Sequence, residues 1–142
     1  RMISLEQYKK EFEALGVAGI YLFGSYAQGV AGALSDVDLG ILLENPRFLG
    51  NHEERNKLYD ALYDIFSKES AKELKRLCNI DIVFLQDPTI NLQLKYHVAA
   101  YGKPLFEKDR RIFADFKERV MESYADFAPL RRIFTRAILA RI

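Results

Sequence analysis

An uncharged stretch of 22 residues, positions 14–35, constrains this chain more than any other feature of its sequence. A stretch of that length could cross a bilayer as a helix. Small and polar side chains interrupt it, however, and no cluster of Lys or Arg close to either end would orient it in a membrane. The interruptions include Gly16, Gly19, Gly24, Ser25, Gln28, Gly29, Gly32 and Ser35. We interpret positions 18–23 as a buried strand and the glycine-rich positions after it as a turn.

Composition limits the class of protein. The chain has 142 residues, of which 49% are hydrophobic, so we expect residues 1–142 to form one domain, with a core of about residues 1–107 and a helical segment of about 108–142. A formal net charge of +1 argues against holding nucleic acid by bulk charge, and no nucleic-acid or membrane partner is expected. The single cysteine, Cys78, excludes an intramolecular disulfide and a cysteine metal cluster, and it favours a cytoplasmic location.

Two further stretches alternate in a way that predicts strands. Residues 36–43 place positions 36, 38, 40 and 42 on one face and positions 37, 39, 41 and 43 on the other. Residues 80–85 follow the same pattern, with Asp81 on one face and apolar Ile80 and Ile82 on the other. The chain therefore contains at least three short strands.

Helical spacing of apolar residues predicts helices over residues 5–15 and 51–76. Asp87 followed by Pro88 predicts the start of another helix, which ends at Gly102, and two more helices follow it. Few strands among several helices indicate an α+β fold, a small mixed sheet flanked by helices.

The residues at the end of the first strand are suited to an anion. Gly24 permits close approach of the backbone, and the amides of the turn that begins at Ser25 point outward together with the Ser25 hydroxyl. Such a turn would bind the outer phosphates of a nucleoside triphosphate.

Two carboxylates follow on the next strand. Asp36 and Asp38 are two residues apart, so they share a face, with Cα atoms about 6.6 Å apart. Carboxylates so placed can ligate a pair of divalent cations, and Mg²⁺ is the ion that prefers oxygen ligands and bridges to phosphates. Asp81 would complete a two-metal site if its strand lies beside that of Asp36 and Asp38, because an unpaired carboxylate in an apolar strand is costly to bury.

Taken together, these residues resemble the minimal nucleotidyltransferase (MNT) family of the polymerase-β-like superfamily. Its signature is Gly-Ser-x-Ala-Arg-Gly, a spacer, Ser-Asp-x-Asp-Leu, and a later Asp on a neighbouring strand. The matching residues are Gly24, Ser25, Ala27, Gly29, Ser35, Asp36, Asp38, Leu39 and Asp81. The resemblance covers about residues 1–107 and implies a polymerase-β-like nucleotidyltransferase fold with C-terminal helices and ATP as a substrate.

The small size of the chain resembles the MNT half of HEPN–MNT toxin–antitoxin pairs. That resemblance implies an antitoxin that transfers AMP from ATP to a tyrosine of its HEPN ribonuclease partner. Gln28 stands where the family often has Arg, so an antitoxin that binds its partner without transfer is a second hypothesis. A small-molecule nucleotidyltransferase is a third, although residues 108–142 leave little room for a domain that grips the acceptor. The oligomeric state stays open.

Several basic residues offer contacts that the sequence does not rank. Arg47, Arg55 and Lys103 could each reach the phosphates of a nucleotide. Near the C-terminus an apolar helical face is accompanied by four arginines and by no acid after Asp126. These are Arg131, Arg132, Arg136 and Arg141. This helix packs either on its own domain or against another protein, with the arginines at the rim.

Overall fold

The structure, a computed structural model, describes residues 5–24, 36–74 and 79–126. Within these ranges four strands and four α-helices follow one another, with short 3-10 turns at Glu6–Tyr8 and Pro46–Gly50. In chain order the elements are α1 (Lys9–Ala14), β1 (Val17–Phe23), β2 (Val37–Leu43), α2 (His52–Leu74), β3 (Ile80–Phe84), α3 (Leu92–Tyr101), β4 (Lys103–Glu107) and α4 (Arg110–Asp126).

The four strands form one mixed sheet in the order β3-β2-β1-β4. Strand β1 is antiparallel to both β2 and β4, whereas β2 and β3 are parallel. The uncharged stretch supplies β1, and all seven residues of that strand are buried. No helix in the described part of the chain is long and apolar enough to span a membrane. The expected α+β fold with a small mixed sheet is confirmed.

Helices cover both faces of the sheet. On one face the odd-numbered side chains of β2 pack with α1 and α2 in an apolar cluster that includes Leu62. On the opposite face Leu42 packs with Val98 of α3 and Phe113 of α4. The predicted alternation of β2 is therefore confirmed, and it places Asp38 on the sheet face that carries α3 and α4.

The prediction that Asp87 starts a helix is wrong. The buried Asp87 carboxylate accepts hydrogen bonds from the N–H and the hydroxyl of Thr89, at 2.9 and 2.8 Å, and pairs with Arg55 at 2.6 Å. The bonds from Thr89, assisted by Arg55, hold the pKa of Asp87 below its usual range and close a turn. Asn91 caps α3 instead, accepting a hydrogen bond from the N–H of Leu94 at 2.8 Å.

Strand β4 is absent from the sequence-based expectation. It has five residues, includes Pro104 and lacks an alternating pattern, so only its pairing with β1 defines it as a strand. The Tyr21 hydroxyl donates to the Glu107 carboxylate at 2.9 Å, and Lys103 aligns with Leu22. The segment that joins α3 to α4 is thereby held along the edge of β1.

The first and longest predicted helices differ from the structure only in their bounds. A 3-10 turn at Glu6–Tyr8 precedes α1, so the helix expected over residues 5–15 is shorter and irregular at its beginning. The helix expected over residues 51–76 is α2. Its side chains Leu58, Leu62 and Phe66 pack under the sheet at the predicted helical spacing.

Replacing Leu62 should test how much the α2 face contributes to stability. Leu62 is fully buried, so we expect Leu62→Ala to lower the free energy of unfolding by about 2–5 kcal/mol, measured by urea denaturation. Lys68→Ala on the same helix is the matched control. It removes an exposed pair with Asp64 at 3.2 Å and should cost less than about 0.5 kcal/mol. Equal losses for both variants would contradict this account of the core.

Candidate functional site

The acidic residues predicted from the sequence come together at one end of the sheet. Strand β1 ends there and β2 begins there because the two are antiparallel, and β3 begins there because it is parallel to β2. Phe23, the residue before Gly24, aligns with Asp38, and Asp38 aligns with Asp81. Gly24, which directly follows β1, thus lies at nearly the same level as Asp38 on β2 and Asp81 on β3. Neighbouring strands are about 4.8 Å apart.

The three carboxylates differ in exposure. Asp36 lies immediately before β2, and both it and Asp81 are exposed, whereas Asp38 is partly buried. Asp36 and Asp38 share a face because they are two positions apart along an extended chain. The expected convergence of Asp38 and Asp81 from neighbouring strands is observed, and Asp36 is close enough for its charge to act on Asp38.

Burial and like charge raise the pKa of Asp38 to about 6. Partial burial is the largest cause, because it disfavours the charged form. The charge of Asp81 and a hydrogen bond between the Asp38 and Asp81 carboxyls come next, followed by the charge of Asp36. A neighbouring cation would relieve this repulsion, so the ionised carboxylates favour the binding of a cation.

The chemistry of the candidate donors fits Mg²⁺, because Asp36, Asp38 and Asp81 all offer carboxylate oxygens. Among the residues that the structure describes, no three His, Cys, Asp or Glu side chains are already arranged to hold a metal ion. The roles of Asp36, Asp38 and Asp81 as metal ligands therefore stay a prediction.

Gly24 is required at its position for two reasons. Its φ of +74° lies in the left-handed region, where a side chain is strained. A Cβ atom added to Gly24 would collide with the Asp38 carboxylate. The missing side chain lets the Gly24 backbone pass close to Asp38, and the role of Gly24 in binding an anion stays a prediction.

The three basic residues considered for phosphate binding lie at different distances from the carboxylates. Arg47 lies in the 3-10 turn after β2, at the opposite end of the sheet, and Arg55 is paired with Asp87 after β3. Lys103 aligns with Leu22 at the start of β4, close to the end of β1 where the carboxylates lie. Sequence reasoning could not select Lys103 because β4 has no pattern of its own.

The remaining candidate residues lie outside the described ranges. They are Ser25, Ala27, Gln28, Gly29, Ser35, Cys78, Arg131, Arg132, Arg136 and Arg141. The phosphate contact assigned to Ser25 and the docking role considered for the C-terminal arginines stay predictions.

The raised pKa of Asp38 predicts a pH-dependent cost to the fold. The carboxyl titrates near 3.8 ordinarily and near 6 in the folded protein, so the cost is absent below about pH 4 and complete above about pH 6. With a chelator present, we expect the free energy of unfolding of Asp38→Asn at about pH 8 to exceed that of the wild type by roughly 1 kcal/mol, after allowance for solvent screening. The advantage should vanish as the pH falls to about 4.

Urea denaturation of both proteins across this pH range measures the effect. Asp64→Asn is the control, since Asp64 is an exposed carboxylate on α2 and should show no such advantage. A constant difference between Asp38→Asn and the wild type at all pH values would contradict the assigned titration.

Two glycines with the same backbone conformation isolate the contact with Asp38. Gly16 has a φ of +75° and open space around its Cα, so Gly16→Ala should cost only the backbone strain, about 1–2 kcal/mol. Gly24→Ala should cost more, because the new methyl group meets the Asp38 carboxylate. In an Asp38→Ala background the two substitutions should become nearly equal in chemical denaturation. An excess cost of Gly24→Ala that persists there would have a different source.

Comparisons with known proteins place the chain in a family. The profile described as "Polymerase beta, Nucleotidyltransferase" matches residues 6–111, which is most of the chain. A comparison with curated protein sequences finds no significant match.

Several solved structures share the fold. One described as a toxin-antitoxin with AMP-PNP is 24% identical with a TM-score of 0.65, and the match covers 95% of this chain and 99% of that one. A mutant of the MntA-HpeT toxin-antitoxin is 21% identical with a TM-score of 0.64, covering 94% and 96%.

A third, the tri-AMPylated Shewanella oneidensis HEPN toxin in complex with MNT antitoxin, is 18% identical with a TM-score of 0.54, and the match covers 94% of this chain and 98% of that chain. The profile match and the shared fold agree with the arrangement of Gly24, Asp38 and Asp81 at the end of the sheet. This chain belongs to the polymerase beta nucleotidyltransferase family, and its structure resembles the MNT antitoxin of HEPN–MNT toxin–antitoxin complexes.

Proposed function

We propose that this chain is a Mg²⁺-dependent nucleotidyltransferase that transfers AMP from ATP to a tyrosine of a HEPN-type toxin and thereby acts as its antitoxin. The observation that carries the proposal is the alignment of Asp38 with Asp81 on neighbouring parallel strands, beside the end of β1 at Gly24. A strand end of this kind combines a backbone able to bind phosphates with carboxylates able to hold the divalent cations that would neutralise the phosphate charge.

The nucleotide side of the site rests on Gly24 and Ser25. Gly24 removes the side chain that would block the Asp38 carboxylate, so a phosphate can approach both the backbone and the acidic cluster. Ser25, the next residue, would add its hydroxyl and amide at the start of the turn. The solved complex with AMP-PNP, which shares the fold, supports a nucleoside triphosphate as the substrate.

Asp36, Asp38 and Asp81 are the residues that would hold the metal ions, and two ions are expected. Bound Mg²⁺ would supply charge neutralisation at the phosphates and would acidify the attacking hydroxyl. The sheet would fix where the cations bind, because Asp38 and Asp81 lie in paired strands. Burial and, after it, repulsion from Asp81 and Asp36 raise the pKa of Asp38, and this is the electrostatic cost of keeping the donor set together.

The proposed reaction moves one proton and one nucleotidyl group. The acceptor oxygen forms a bond to the α-phosphorus of ATP, the bond between that phosphorus and the β-phosphate oxygen breaks, and pyrophosphate leaves. The hydroxyl proton passes to a carboxylate, and we assign Asp81 to that step because it is exposed at the edge strand β3. A phenolic hydroxyl, with a pKa of about 10, loses its proton more readily than an alcohol.

The acceptor is best presented by another protein. Asp36 and Asp81 are exposed, so the site is open on the acceptor side, and a partner surface would supply the missing wall and exclude water. The fold is shared with an antitoxin in complex with a tri-AMPylated HEPN toxin, which supports a toxin tyrosine as the acceptor. Helix α4 packs on the same core through Phe113, which favours a single domain over a separate acceptor-binding one.

The test is transfer of AMP to a purified HEPN-type toxin. The purified pair is incubated with ATP and Mg²⁺, and intact masses are recorded. We expect the partner to gain AMP with the wild type and with Asp64→Asn, an exposed carboxylate on α2. Asp36→Asn and Asp38→Asn should abolish transfer, and Asp81→Asn should slow it by about 10²-fold or more while ATP affinity changes little.

Two results would redirect the proposal. A partner that gains no nucleotide mass, yet is inhibited equally by the wild type and by Asp36→Asn, would identify a binding-only antitoxin. Transfer to a small-molecule hydroxyl without transfer to the partner would identify a small-molecule nucleotidyltransferase.

A further inference from the structure

The junction between α3 and β4 brings an aromatic residue to the end of the sheet where the carboxylates lie. Helix α3 ends at Tyr101, and β4 begins two residues later at Lys103, which aligns with Leu22. The pairing of β4 with β1 stops at Lys103, so Tyr101, two residues earlier, lies beyond the paired part of β4, on the side where β1 ends at Gly24. Asp38 flanks the end of β1 on one side and Tyr101 flanks it on the other.

Tyr101 also belongs to the same face of the sheet as the acidic cluster. Helix α3 packs through Val98 against Tyr21 and Phe23, in the apolar cluster opposite α1 and α2. The even-numbered side chains of β2, including Asp38, project toward this face. Tyr101 stands one helical turn beyond Val98, at the border of the carboxylate site.

The local backbone holds this residue in place while leaving it open to solvent. The Gly102 N–H donates to the Val98 carbonyl at 2.8 Å, and a Cβ at Gly102 would lie only 2.5 Å from that oxygen, so the turn is as tight as glycine allows. The imidazole of His97 lies 5.1 Å from the Tyr101 ring, tilted by 52°. Tyr101 nevertheless has 55% of its surface exposed, more than any other large hydrophobic residue that the structure describes.

An exposed aromatic ring at this place can stack on a flat, apolar group of a ligand. The ring of Tyr101 is not buried in the core, and the candidate site nearest to it is the one at Gly24 and Asp38. Two strand spacings, about 10 Å, separate the backbone of β4 from that of β2. A ribose and its phosphate can span such a distance, which leaves a flat, apolar base beside the ring.

We propose that Tyr101 is the platform on which the nucleobase of the substrate stacks, an inference that rests on the proposed function. Stacking on an aromatic face does not read the hydrogen-bonding groups of a base. The platform therefore contributes affinity for any purine nucleotide and orients the α-phosphate toward the carboxylates.

Calorimetry with two ligands tests the platform separately from the phosphate site. ATP and inorganic triphosphate are each titrated, with Mg²⁺, into the wild type, Tyr101→Ala and Tyr101→Phe. We expect Tyr101→Ala to bind ATP about 5-fold to 100-fold more weakly and triphosphate as tightly as the wild type, because only ATP carries a base. Tyr101→Phe keeps the ring and should bind both ligands like the wild type.

Tyr63→Ala is the matched control. Tyr63 is also exposed but lies on α2, which covers the other face of the sheet, so its loss should leave both affinities unchanged. Unchanged ATP affinity in Tyr101→Ala, or an equal loss for ATP and triphosphate, would overturn the inference while leaving the phosphate site intact. A wild type that binds neither ligand would overturn the proposed function together with the inference.

Discussion

Strand β1 has a hydrogen-bonded neighbour on each edge, and helices cover both of its faces. A strand enclosed in this way has its residues buried and offers little room for a charged side chain. The absence of charge in residues 17–23 follows from that enclosure. The candidate site lies where β1 ends, around Gly24, beside the exposed Asp36 and Asp81.

The acidic cluster at that end works against the stability of the fold. Asp38 is partly buried next to two other carboxylates, and its pKa is raised first by that burial and then by the repulsion between the carboxylates. Elsewhere the fold pairs its buried charge: Asp87 accepts hydrogen bonds from Thr89 and is held by Arg55. Asp87 is paired with a cation within the protein, whereas Asp38 faces other carboxylates, and this contrast favours the end of the sheet at Gly24 as the candidate site for an external cation.

Elements with a local pattern were predictable and elements without one were not. Burial of β1, alternation in β2 and helical spacing in α2 are properties of consecutive residues, so the sequence alone predicts these elements. Strand β4 carries Pro104 and no alternation, and it exists because β1 offers it a hydrogen-bonding edge. Helix α3 begins at Leu92 because the Asp87 side chain bonds to Thr89 and Arg55, leaving Asn91 to cap the helix.

The same division applies to the candidate site. The spacing of Asp36 and Asp38 by itself determined that they share a face, since side chains alternate along any strand. The sequence likewise predicted a turn at Gly24, immediately before Ser25. Only the tertiary structure decided that Asp81 aligns with Asp38 and that Tyr101 comes two residues before the first paired residue of β4, near the end of β1. Register between strands far apart in sequence depends on backbone pairing and on packing across both sheet faces, which no local pattern encodes.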